Sequence, residues 1–147
     1  MTPEDVFQLA NGTAPLAWLA MIAAPDNRWV KRTVFSGAWV AMLASMYLLV
    51  VATHFNFTAA DFTTLEGVTA LLSDPWAMTA GWIHYLAFDL LAGVILTKKG
   101  SALGIARWQL LPCQLCTFML GPVGIVLFVA IAKAKGIQWS ALAIGQP

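Results

Sequence analysis

Two side chains that handle protons, His84 and Asp89, stand in a stretch otherwise free of charge. Between Asp74 and Lys98 no other Asp, Glu, Lys or Arg occurs. A carboxylate near the centre of a membrane helix costs about 2.5–3.5 kcal/mol on insertion scales, so such a group turns toward a bundle interior and has a purpose. His84 and Asp89 make a candidate base and acid for moving a proton on one bound molecule. Five residues separate them, which is about 140° around a helix, so they do not share a stripe. Joint action would run through a substrate or a neighbouring helix. Trp82 and Tyr85 precede Asp89 by seven and four residues and lie on its face. A plainer role is also open to Asp89, that of a hydrogen-bonded staple between two helices.

The elements that carry these residues follow from the spacing of charge. The chain has 147 residues, of which 60% are hydrophobic and 10% charged, with a net charge of +1. Soluble domains average about 25% charged residues, so lipid rather than water is the expected solvent. The same arithmetic excludes a disordered tail, a secreted disulfide scaffold and a nucleic-acid binder. Four uncharged or nearly uncharged stretches are each long enough to cross a hydrocarbon core of about 30 Å. The expectation is an all-α polytopic membrane protein. It would be a single domain over 1–147, a bundle of four transmembrane helices near 6–24, 34–53, 77–97 and 108–132. The second loop is too long for a tight turn. Its Phe57, Phe62, Leu65, Val68, Leu71 and Leu72 predict a short amphipathic helix at the interface.

Arg28, Lys31 and Arg32 lie between the first two spans, and Lys98, Lys99 and Arg107 between the last two. The positive-inside rule puts both loops, with Arg107 on the cytoplasmic face, inside the cell and both termini outside. Lys133 and Lys135, past the fourth span, dissent. Acidic rather than basic residues precede the first span, so no cleaved leader is expected. Tryptophans 29, 76, 108 and 139 fall at predicted helix ends, as an interfacial belt requires. Gly37, Ala41 and Ser45 form a small-residue stripe that predicts close packing of the second span, and Ala77 with Gly81 does the same in the third.

Depth arithmetic at about 1.5 Å per residue sets His84 about 10 Å and Asp89 about 18 Å below the outer surface. Asn11 and Tyr47 reach neighbouring levels. On the fourth span Cys116 and Thr117 fall opposite Asp89, and Gly121-Pro122 opposite His84. Phe118 lies beside them, and Pro122 would free its carbonyl, marking either a kink or a cavity. Polar groups from all four spans therefore converge on a predicted pocket. Cys113 and Cys116 form C-x-x-C, but two further zinc ligands are missing, and small buried hydrophobes are the expected role. No metal and no cofactor is expected. The spans hold no lysine for a retinal Schiff base, and His54 and His84 differ by about 10 Å in depth, which disfavours a bis-histidine haem.

The stretch Asp74-Pro-Trp-Ala…Gly81-Trp-Ile-His-Tyr-Leu-Ala-Phe-Asp89-Leu-Leu-Ala-Gly93 resembles the abscisic-acid-deficient-four-like membrane family. So does Arg107…Leu111-Pro-Cys…Phe118-Met-Leu-Gly-Pro-Val-Gly124, and Ala24-Pro25 and Ser36-Gly37 extend the likeness over nearly the whole chain. Where the plant pattern has a histidine after the arginine, this chain has Trp108. Plant members are required to make neoxanthin from violaxanthin. The resemblance therefore implies a carotenoid (epoxide) isomerase of a bacterial inner membrane, acting on a lipid-dissolved polyene. In that scheme His84 and Asp89 share the acid and base tasks. Asn11, Tyr47, Trp82, Tyr85, Phe88, Thr117, Phe118 and Pro122 line the site. The implied partners are a carotenoid or lipid, the membrane, and a homo-oligomer or larger complex. Two alternatives stand beside it: a non-catalytic carotenoid- or lipid-binding accessory protein, and a small proton-coupled transporter with Asp89 as relay.

Overall fold

The computed structural model describes residues 1–55 and 60–142, the side chain of Trp139 excepted, and all regular structure among these is helical. In chain order the helices are α1 (Pro3–Ala23), α2 (Arg28–Thr33), α3 (Ala38–His54), α4 (Leu65–Leu72), α5 (Pro75–Ala102), α6 (Arg107–Leu120) and α7 (Pro122–Ala134). A single 3-10 turn follows at Trp139–Leu142. Short polar side chains set several starting points, because each satisfies an amide that the first helical turn leaves free. Thr2 and Asp5 cap α1 reciprocally. Asn27 accepts from the Trp29 amide, and Thr64 from that of Gly67. Asp74 takes the amides of Trp76 and Ala77 ahead of Pro75, whose fixed φ suits a first helical position.

The column of the molecule is α5, on which α1, α3, α4, α6 and α7 all pack. Its buried face is rich in small residues, among them Ala77, Ala80, Ala87, Gly93 and Gly100. Small residues let neighbours approach closely. The Trp18 indole lies on Gly93 and the Leu110 side chain on Gly100, so tightly that a methyl group at either glycine would overlap its neighbour. From α1 a single stripe of Val6, Ala10, Ala14, Ala17, Trp18 and Met21 turns inward. It joins Leu43, Val50, Ile83 and Leu90 in one core, and a second core forms around Leu96, Leu110, Cys113 and Phe128. The outside is apolar as well: Leu16, Leu48, Met119 and Val126 are 56–70% exposed. So much exposed apolar surface fits acyl chains better than water. Among the described residues two helices, α1 and α5, are long and apolar enough to cross a membrane, which supports a membrane protein.

Helices α1, α3 and α5 stand where the first three spans were expected, and of these α1 and α5 have the length of a span. The last of these runs five residues past its expected end at Thr97, and α3 begins at Ala38 after a separate short α2. The expected loop helix is α4, laid across α5 with Leu72 against Gly81. Phe57, named with it, lies outside the described residues. The stripe in α3 is a correction. Ala41 and Ser45 are exposed, Gly37 sits at the start of the helix with φ +85°, and the packing face is Leu43 and Val50 instead.

The larger correction concerns residues 108–132, which do not form one span. They form two short helices folded back on each other. At Gly121 the backbone turns to φ +49°, ψ −98°, a conformation glycine reaches without the usual side-chain penalty. Gly124 of α7 then lies so close to α6 that a methyl group on it would overlap the Cys113 carbonyl and the Thr117 amide. Phe128 and Ala132 continue the pairing back to Leu110 and Ile105. Pro122 is neither a kink nor the mark of a cavity; it is the first residue of α7. With 14 and 13 residues, each arm is about 20 Å long, short of a hydrocarbon core of about 30 Å.

Candidate functional site

His84 borders a groove of about 200 Å³ between α3, α4 and α5, lined also by Tyr47, Val51, Leu71, Leu72 and Gly81, with Phe55 and Phe62 from the segments beside α3 and α4. Local sequence explains each wall. Gly81, without a side chain, leaves the space that Leu72 borders. The end of α3 is held to the start of α5 by His54 stacked on Trp76, ring centroids 3.6 Å apart and nearly parallel. The amino end of α4 is held by Asp61. Its Oδ1 accepts from the Thr63 hydroxyl and amide, at 2.7 and 2.8 Å, and its Oδ2 from the Thr64 hydroxyl at 2.7 Å. These bonds favour the carboxylate and pull Asp61 down to about 2, the Thr63 hydroxyl contributing most.

Inside the groove the Tyr47 ring meets the His84 imidazole edge-on, centroids 5.6 Å apart. The Phe88 ring also lies against His84, centroids 4.6 Å apart. Tyr85 and Phe88 are 66% and 58% exposed and do not line the groove. The groove thus offers a long apolar wall with one imidazole and one phenol, open to the side.

Asp89 is elsewhere. It turns to the opposite flank of α5 and lies over the reversal between α6 and α7, where a Cβ built on Gly121 would stand 2.7 Å from its Oδ1. Neither of the two grooves described here reaches it. The expected pairing of depths is corrected by about one helical turn: Gly121 faces Asp89, not His84. Thr117 is buried in the seam of the hairpin, its hydroxyl donating to the Cys113 carbonyl at 2.8 Å. Phe118 packs on Trp18, centroids 5.5 Å apart. Trp82 reaches α1, where its Nε1 donates to the Asn11 Oδ1 at 3.2 Å and its ring lies on Phe7. Of the expected site residues, His84 and Tyr47 therefore share a groove, while Tyr85 and Phe88 neighbour the His84 ring without lining it. Asn11 and Trp82 pair across α1 and α5, and Asp89, Thr117, Phe118 and Pro122 belong to the hairpin side.

A second groove, about 220 Å³, lies between α1, α5 and α6 at the far end, with Met21, Asp26, Ser101, Arg107 and Gln114 among its walls. The Arg107 guanidinium donates to Asp26 at 2.6 Å and so ties the α1–α2 turn to the start of α6. Beneath them the buried Gln114 amide donates to the Thr97 hydroxyl at 2.8 Å, and that hydroxyl donates to the Gly93 carbonyl. Sequence reasoning passed over Gln114. Its signal was a side-chain amide well inside an uncharged stretch, which in lipid must find a partner. Cys113 is buried and Cys116 half-buried, both as free thiols.

No curated protein and no solved structure matches the chain. The model of the ABA DEFICIENT 4-like family matches residues 5–128, from the first turn of α1 to the middle of α7. This chain belongs to the ABA DEFICIENT 4-like family.

Proposed function

We propose that the protein holds one end group of a membrane-dissolved polyene of carotenoid type in the α3–α4–α5 groove and isomerises it there. The observation that carries this reading is the His84–Tyr47 pair inside an apolar groove open to its side. At about 200 Å³ the groove is smaller than the roughly 300–1,000 Å³ of a pocket for a whole drug-sized ligand. It suits a ring at the end of a long molecule whose remainder lies along α5 and the acyl chains. Family membership favours an epoxide-bearing end group. Its opening to an allene breaks one C–H and one C–O bond, forms one C=C and one O–H bond, and requires neither oxidant nor reductant. His84 takes the carbon-bound proton and the Tyr47 phenol gives one to the opening oxygen. This reassigns to Tyr47 the acid role that the sequence pattern suggested for Asp89, because Asp89 lies on the other flank of α5.

A carotenoid- or lipid-binding accessory role is the second reading, and the separation of Asp89 from His84 favours it. In that role the same two side chains anchor a ring hydroxyl. The test is expression in a host that makes epoxy-carotenoids, with chromatography of pigment bound to the purified wild type, His84→Ala and Tyr47→Phe. Isomerisation predicts converted pigment on the wild type and bound, unconverted pigment on both variants. Unconverted pigment on all three supports the binder, and no bound pigment on any contradicts both.

A further inference from the structure

We propose that α6 and α7 form a re-entrant hairpin: both arms enter the bilayer from one face, the tip stops near mid-membrane, and the chain beyond Ala134 returns to the face it left. Length is the first argument. Neither arm crosses a hydrocarbon core of about 30 Å, whereas α1 and α5 do and α3, with 17 residues, reaches about 25 Å. Depth is the second. From Arg107 to the tip α6 rises about 21 Å, and from Ala102 back to Asp89 α5 rises about 20 Å. The two meet, as the contact of Gly121 with Asp89 shows. Irregular backbone at that depth is tolerated only against protein or a cavity. The Gly121 turn lies on the flank of α5, with a carboxyl beside the amino end of α7, where peptide dipoles are positive.

Charge is the third argument and the strongest. The hairpin carries Lys133 and Lys135 back to the end of the molecule that holds Lys98, Lys99 and Arg107, where Ile137 and Leu142 pack on the core around Leu96 and Leu110. The ion pair from Arg107 to Asp26 brings Arg28, Lys31 and Arg32 to the same end. All 8 Lys and Arg of the chain then share one face. Glu4, Asp5, Asp61, Glu66 and Asp74 mark the other. A straight fourth span leaves two basic residues on the wrong side; the hairpin leaves none. By the positive-inside rule the basic face is cytoplasmic, so the chain leaves the membrane inside the cell while α1 begins outside.

The test is thiol labelling of the full-length chain in intact cells with a membrane-impermeant maleimide, before and after permeabilisation. Ser73→Cys, Ser101→Cys and Gln138→Cys each alter an exposed residue, and the wild type, with its two thiols within the hairpin, sets the background. The hairpin predicts that Gln138→Cys labels in the same compartment as Ser101→Cys and opposite to Ser73→Cys, whichever way the chain is inserted. Labelling of Gln138→Cys together with Ser73→Cys overturns it.

Discussion

Single residues set the groove and its chemistry, and each leaves a measurable trace. The hydroxyl and amide bonds to Asp61 stabilise its charged form in the folded chain, holding it at about 2 against an ordinary 3.8. A depressed folded value means that this contribution is complete above the unfolded value and lost as pH falls through about 2. The side-chain carboxyl carbon of Asp61, followed by NMR, is expected to titrate near 2, and to rise only part of the way toward 3.8 when Thr63 and Thr64 are both changed to Val, because the Thr63 amide still donates to it. A wild-type midpoint near 3.8 would remove the anchor assigned to α4. On the far flank, Gly93→Val is expected to push the Trp18 ring out of its seat, costing about 1–3 kcal/mol by overpacking in a detergent or bicelle unfolding assay. At this scale the sequence was partly readable. The 140° between His84 and Asp89 already separated them, and the structure sends them to different flanks. What spacing did not reveal is which neighbour each would meet, since that depends on how α3 and α6 are placed around α5.

Helices were legible where the spacing of charge marked an uncharged or nearly uncharged stretch one helix long. Expected near 6–24, 34–53 and 77–97, α1, α3 and α5 are of that kind, though their capped or displaced starts at Pro3, Ala38 and Pro75 were not read from it, and α4 falls in the long second loop. The hairpin was not legible, for a physical reason: hydropathy averages over a window and is blind to direction, so 25 uncharged residues read alike whether straight or folded in half. The only local hint was Gly121-Pro122, which also fits a kink. A substitution separates the two geometries by sign. In a straight helix Gly124→Ala gains about 0.5–1 kcal/mol from the lower backbone freedom of alanine. In the hairpin the added methyl meets the Cys113 carbonyl and Thr117 amide, so the variant is expected to lose about 1–3 kcal/mol. Thermal unfolding in bicelles reads the difference, and a more stable Gly124→Ala contradicts the fold-back.

At the scale of the whole molecule, one long helix does most of the positioning. Through α5 the groove beside His84, the contact of Asp89 with Gly121 and the polar cluster of Thr97 and Gln114 are set along a single axis, with α1, α3 and the hairpin docked around it. The groove is therefore confined to the wedge between α3 and α5 that α4 covers, and its capacity is adjustable at one position. Gly81 lines it and has only ordinary contact with Leu72, at 3.6 Å from a built Cβ. A leucine there fills the space without disturbing the helix pairs around α1 or α6. The central claim is that this groove is where a polyene end group is held. It is tested most directly by quantifying hydrophobic pigment that co-purifies with wild type and Gly81→Leu from a carotenoid-producing host, at matched thermal stability. Near-stoichiometric pigment on the wild type and at least a tenfold loss on Gly81→Leu is the expected result, whereas equal pigment on both would place the binding site somewhere else.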